Sequence, residues 1–128
     1  MDETEQPAAA AEAPKTDSQG RELMTVPGGR ILSLRPANDM LSMMDVAEAA
    51  GVDGRGQPTD RVLHNPIWMG NAQIACQVAA IDGVPEPFPR SVTEIRALVG
   101  KLGAPAMGRL TTRWGESGRD VNEEAAKN

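Results

Sequence analysis

Reactive side chains are scarce in this chain of 128 residues. It contains one cysteine, one histidine and no tyrosine. A single cysteine excludes an intramolecular disulfide and a zinc site of four cysteines, and a single histidine leaves no histidine pair for a metal. The sequence therefore predicts no enzyme activity and no cofactor or metal.

The few residues that could carry chemistry have simpler structural interpretations. Cys76 lies in the least polar segment, where burial would raise its pKa and suppress thiolate chemistry. His64 stands at the end of a loop, so we expect it to be exposed or to cap a helix. Asp82 and Glu86 bracket a turn and have no neighbouring base, which makes turn capping the natural role for Asp82.

Long apolar segments are missing as well. The longest run that lacks both charged residues and histidine, 65–81, has 17 residues and includes Asn71, Gln73 and Gln77. It is too short and too polar for a membrane span. The N-terminus shows no basic segment followed by an apolar one, so we expect no secretory signal. With a single cysteine, this composition fits a reducing cytosol.

Charge divides the chain into three parts. Residues 1–22 carry six acids against two basic residues, and residues 116–128 carry four acids against two. Such segments bury too little apolar surface to offset the entropy of ordering. We predict a disordered acidic tail over 1–22, a folded domain over 23–115 and a polar C-terminal tail over 116–128. The domain's nine basic and eight acidic residues nearly cancel, which weighs against nucleic acid and anionic membranes as partners.

Periodicity and turn residues predict a mainly α-helical fold, a small domain of about four helices with an N-terminal β-hairpin and disordered acidic tails. Pro27, Gly28 and Gly29 supply the hairpin turn between the apolar segments 23–26 and 30–34. Asn38 or Asp39, Asn65 and Ser91 are suitable N-caps, and Gly103 followed by Pro105 separates the last two helices. The predicted helices cover about 38–50, 65–81, 91–103 and 105–114.

Methionines form the most distinctive surface pattern. Met40, Met43 and Met44 fall on one face of the first predicted helix, together with Ala47 and Ala50. Methionine packs adaptably, so the stripe suits either a core or a surface that accepts a partner helix; burial is the favoured interpretation. Trp68 is likewise a core residue or an interface anchor. The candidate partner-binding residues are Met40, Met43, Met44 and Trp68.

One long pattern resembles a known family. The order LSLRPAN, a short helix, a loop and then WMGNAQIACQVAAIDGVPEPFPRSVTEIRALVGKLG resembles small tail assembly chaperones of tailed bacteriophages. The likeness covers roughly 30–114 and rests on the helix pattern and the AIDGVPxPFP corner. It implies a non-enzymatic protein of the bacterial host cytoplasm that binds the tape-measure protein, or another tail protein, during virion assembly. Self-association is compatible with that role.

Two other classes of protein fit the same residues. A virion structural component, such as a baseplate or tail adaptor, would use these helices for permanent packing. In a small DNA-binding regulator, the turn at Gly103 and the following Arg109 and Arg113 would belong to a helix-turn-helix. Two arginines on a nearly neutral domain are few for gripping DNA.

Overall fold

Three helices and a four-stranded antiparallel sheet form the part of the chain that the computed structural model describes, residues 16–127, with side chains up to residue 117. The strands are ordered β1-β2-β3-β4 across the sheet. None of the helices within this range combines the length and apolar composition needed to cross a bilayer. In chain order the elements are β1 (Glu22–Thr25), β2 (Ile31–Leu34), α1 (Met40–Ala50), α2 (Pro66–Ala75), β3 (Val78–Ile81), β4 (Val84–Pro85) and α3 (Val92–Lys127).

The prediction of a mainly helical domain with about four helices is wrong, chiefly because the segment 78–81 is a strand. The helix predicted over 65–81 ends at Ala75, and β3 then pairs with β2. Asp82 and Gly83 both have positive φ, 50° and 82°, the combination that a two-residue hairpin loop requires. The Asp-Gly pair therefore turns the chain from β3 into β4 and does not follow a helix that extends to residue 81.

The predicted N-terminal hairpin is present. β1 pairs with β2 in antiparallel register, and the N–H of Gly29 donates to the carbonyl of Val26 at 3.0 Å. Gly28 and Gly29 have φ of 97° and 89°, which only glycine adopts readily. The turn chemistry of Pro27-Gly28-Gly29 thus fixes the register of the first two strands.

The last two predicted helices are one long element with a break. Within α3, Gly103 has φ 79° and ψ 167°, and Pro105 follows it. Arg30, from the β1–β2 turn, donates to the carbonyls of Lys101 at 2.9 Å and Leu102 at 2.6 Å. These bonds satisfy carbonyls left free by the break, so the hairpin turn ties down the point where α3 changes direction.

The main core lies between the sheet and α3. Leu32 and Leu34 of β2 point to the same side, as the two-residue period of a strand requires, and they pack with residues from both halves of α3. A smaller cluster joins α1, α2 and the start of α3. The buried members of the main core are Val26, Leu32, Leu34, Ile74, Ala75, Val78, Leu98, Leu102, Ala106, Met107 and Leu110.

The structure describes the two predicted tails to different extents. Residues 1–15 lie outside the described residues. Of the rest of the N-terminal segment, Thr16 forms an antiparallel bridge with Glu22. The Asp17 carboxylate accepts the N–H groups of Arg21 at 2.9 Å and Gln19 at 2.8 Å, and the bond from Arg21 lowers its pKa. The backbone of α3 continues through the predicted C-terminal tail to Lys127.

Candidate functional site

Helix α1 is fixed at both ends and along one side. The Asp39 carboxylate caps its start by accepting from the Ser42 N–H at 3.1 Å, and Gly51 follows its last turn. The side chain of Gln73, on α2, reaches the carbonyl of Met43 at 3.4 Å. The side chains that α1 packs inward are mostly small: Val46, Ala49 and Ala50 are buried. The position of α1 is thus set without its largest side chains.

Those large side chains face solvent. Met40 is 74% exposed, Leu41 69%, Met44 62% and Met43 39%. The favoured interpretation of the methionine stripe as core is therefore wrong, because the inward side of the helix is the one that carries Val46 and Ala49. Leu41 was missed by the sequence reasoning although it adjoins Met40 and Met44. We call Met40, Leu41, Met43 and Met44 the methionine face.

Trp68 does not belong to the methionine face. It is half-buried and packs against the two smaller clusters, one around Val46 and the other around Val62. Its exposed part lines a groove of about 440 Å³ between α2 and α3, together with Ile95 and Val99. Ile67, 77% exposed, also lines this groove. The four candidate partner-binding residues thus divide into three on one helix and one in a separate groove.

A second groove adjoins α1 on its charged side. It measures about 400 Å³ and separates α1 from the proline-rich segment that leads into α3. Asp45 and Glu48, both exposed, are the only charged residues within α1. We call this the acidic groove; its lining consists of Asp45, Glu48, Ala49, Val52, Phe88, Pro89 and Arg90.

Arg35 fixes the wall of the acidic groove that lies opposite α1. Its guanidinium lies 5.2 Å from the centre of the Phe88 ring, a cation–π distance. It also donates to the carbonyls of Cys76 at 3.3 Å, Val78, and Glu86 at 3.1 Å. One side chain therefore joins the end of α2, β3 and the proline segment. The sequence reasoning passed over Arg35; its place in LSLRPAN, next to a strand and before Pro36, was the available signal.

Arg113 forms its hydrogen bonds within the domain. Its guanidinium donates to Gln77 Oε1 at 2.6 Å, to the carbonyl of Arg35 at 3.1 Å and to Glu22 Oε1 at 3.1 Å. Gln77 is only 2% exposed and donates in turn to the carbonyl of Leu110 at 3.1 Å. Of the two arginines that a DNA-binding helix would use, only Arg109 is exposed. This arrangement weighs against the helix-turn-helix alternative.

The titratable residues singled out from the sequence lie apart from one another. Cys76 is buried, and this burial raises the pKa of its thiol to about 12. His64 is exposed. Asp82 lies in the β3–β4 turn, but its carboxylate accepts the N–H of Ile31 at 2.8 Å and so bonds to β2 instead of capping its own turn. Glu86 pairs with Lys101 at 2.8 Å. Within residues 16–117, no three His, Cys, Asp or Glu side chains come together as metal ligands would.

An exposed apolar helix face and several grooves are the main surface features of residues 16–117. A further groove, of about 450 Å³, lies between the proline-rich segment and α3 and is lined by residues that include Phe88, Arg90 and Lys101. Comparisons of the chain with protein-family models, with curated proteins and with solved structures found no match.

Proposed function

We propose that this protein is a non-enzymatic binding factor that holds apolar helical segments of a long client protein. Its specific role, on this proposal, is that of a phage tail assembly chaperone, with the tape-measure protein as client and the bacterial cytoplasm as its place of action. The observation that carries the proposal is the methionine face, a row of large apolar side chains on a helix that is already anchored by its other side.

The chemistry of the methionine face suits a varied helical client. Methionine side chains are unbranched and polarisable, and they repack around partners of different shape. A long client presents many different helical segments, so an adaptable surface serves it better than a rigid pocket of fixed shape. The anchored inward side of α1 keeps the face in place while its outer side chains adjust.

The size of the methionine face favours a reversible contact. Removing Met40, Leu41 and Met44 from water gains roughly 4 kcal/mol, which only matches the lowest estimates for the cost of association. One copy would thus bind weakly, and several copies along one elongated client would be needed for stable coverage. Permanent interfaces are larger and more apolar. This supports a factor that leaves after assembly over a component that stays in the virion.

The sequence resemblance supplies the choice of client. The AIDGVPxPFP corner on which it rests forms the β3–β4 hairpin and the segment that Arg35 holds beside α1. The corner therefore contributes a wall of the acidic groove next to the methionine face. The residues that carry the resemblance and the surface that carries the proposed binding lie side by side.

The test co-expresses the tagged full-length chain with the products of its neighbouring genes, among which the proposal expects a tape-measure protein. We expect the chain to co-purify with that protein and to be absent from finished particles. Met44→Glu should reduce client capture about tenfold or more, because a charge is placed in the apolar contact. Val84→Glu is the matched control, since Val84 on β4 is also 62% exposed, and it should bind as the unaltered chain does.

Circular dichroism and thermal unfolding of both variants establish that each remains folded. Retention of the chain in purified particles would favour the virion structural component instead. Equal capture by Met44→Glu and Val84→Glu would show that the methionine face is not the binding surface, and recovery of DNA alone would contradict a protein-binding role.

A further inference from the structure

The acidic groove lies directly beside the methionine face. Asp45 and Glu48 follow Leu41 and Met44 by four residues, so each carboxylate stands one helical turn after an exposed apolar side chain on the same side of α1. No lysine or arginine occurs anywhere in α1. An apolar strip and an acidic border therefore run in parallel along one helix.

The opposite side of the groove is apolar and held in place. Phe88 and Pro89 form this side, while Ala49 and Val52 line the groove on the α1 side. Pro89 is buried, and Phe88 packs against the cluster of Val46 and Ala49. Such a wall suits the aliphatic part of a long basic side chain, whose charged end stays in water beside a carboxylate. A preorganised wall also lowers the entropy lost on binding.

Arg90 sets the direction in which such a side chain would point. It is exposed and lines the groove along with the two carboxylates. Two negative charges against one positive charge leave the groove acidic. Because Arg90 belongs to the proline-rich segment, a cation entering the groove is drawn toward α1 and repelled from the other side.

The geometry points to one kind of occupant: a client helix whose apolar stripe is bordered on one side by lysine or arginine. The stripe covers the methionine face, and a basic side chain of its border enters the acidic groove, with its stem on Phe88 and its charge beside Asp45 and Glu48. This inference rests on the proposed function and adds a rule for which helical segments of the client are bound.

Two synthetic helical peptides with the same apolar stripe test the inference on the full-length chain. One carries lysines along one border of the stripe, and the other carries glutamates at those positions. Dissociation constants are measured by fluorescence anisotropy at low and at high ionic strength. We expect the lysine peptide to bind about two- to fivefold more tightly at low ionic strength, the range that exposed ion pairs supply, and this preference to shrink as salt is added.

Two double variants separate the groove from general charge. Asp45→Asn with Glu48→Gln should abolish the preference for the lysine peptide. Asp60→Asn with Glu116→Gln removes the same charge from exposed positions outside the groove and should leave the preference intact. A preference that persists in the first variant, or that both variants lose equally, would overturn the inference.

The remaining outcomes separate this inference from the proposed function. Equal binding of the two peptides, weakened by Met44→Glu, would overturn the charge rule and leave the binding face standing. Failure of both peptides to bind would count against both. A concentration-dependent dimer that Met44→Glu removes would show that a second copy of the chain, and not a basic client helix, covers the face.

Discussion

Helices α1 and α3 both carry an apolar stripe, but the stripe of α3 is buried and that of α1 is exposed. The stripe of α3 includes Leu98, Leu102 and Leu110, all buried against the sheet. The large residues of α1 are exposed, and only its smaller ones face inward. The comparison teaches that periodicity locates an apolar stripe but does not decide whether the same chain covers it; a partner for the methionine face remains part of the proposal.

Matched leucine substitutions give the largest expected difference between the two helices. Leu110→Ala, at a position with 0% exposure, should lower the free energy of unfolding by about 2–5 kcal/mol because it opens a cavity in the core. Leu41→Ala, at 69% exposure, should change it by less than about 0.5 kcal/mol. Urea unfolding of the two variants measures both values. A loss above about 2 kcal/mol for Leu41→Ala would mean that α1 is covered within the chain.

The parts of the fold that depend on neighbouring residues could be predicted from the sequence. Asn65 caps α2 by accepting from the N–H of Trp68 at 3.0 Å, and Ser91 Oγ accepts from the N–H of Glu94 at 3.2 Å. The interruption at Gly103 was equally visible. Each of these signals involves residues within four positions of one another, where the physical cause lies in the local sequence.

Strand β3 and the exposure of α1 could not be predicted in the same way. The segment Val78–Ile81 ends a long uncharged run that fits either a buried helix or a buried strand. Its pairing with β2, distant in sequence, decides between them. The Asp82-Gly83 pair was the one local sign of a hairpin. For the methionine face, periodicity identified the stripe, but only the packing of Val46 and Ala49 shows which side faces inward.

A second pair of variants tests the break at Gly103, on either side of which α3 packs against the sheet. Gly103 adopts φ 79° and ψ 167°, a region nearly restricted to glycine, so Gly103→Ala should cost about 1–3 kcal/mol of stability. Gly108 lies in the helical part beyond the break, and a Cβ there meets nothing within 4 Å. Gly108→Ala should stabilise the protein by about 0.5–1 kcal/mol. Effects of the same sign in thermal unfolding would contradict the break at Gly103.

Two arginines on α3 sharpen the comparison at the level of single side chains. Arg113→Ala removes the donor to the buried Gln77 oxygen and should cost about 1–3 kcal/mol. Arg109, one turn earlier and exposed, should be replaceable by alanine within about 0.5 kcal/mol. Denaturant unfolding measures both costs. If Arg109→Ala proved as costly as Arg113→Ala, the assignment of Arg113 to an internal network would fail.

The smallest expected effect is on the pH dependence of stability and concerns Cys76. This residue packs with Val46 and Ala49 on the inward side of α1. Burial raises the pKa of the thiol from 9.0 to about 12, so the folded state retains a proton that the unfolded state loses. Stability from this group is complete below about pH 9 and falls as the pH rises toward 12, by up to about 1.4 kcal/mol per pH unit. Near pH 10 the loss should be about 1.4 kcal/mol.

Cys76→Ala supplies the comparison for this pH dependence. Unfolding free energies of the variant and the unaltered chain, measured between about pH 8 and 10.5, should converge as the pH rises, because only the unaltered chain loses the thiol contribution. Parallel curves would mean that the thiol titrates normally and that water reaches the seam between α1 and α2. The inward side of α1 would then be as open as its methionine face, and the contrast with α3 would extend to the whole helix.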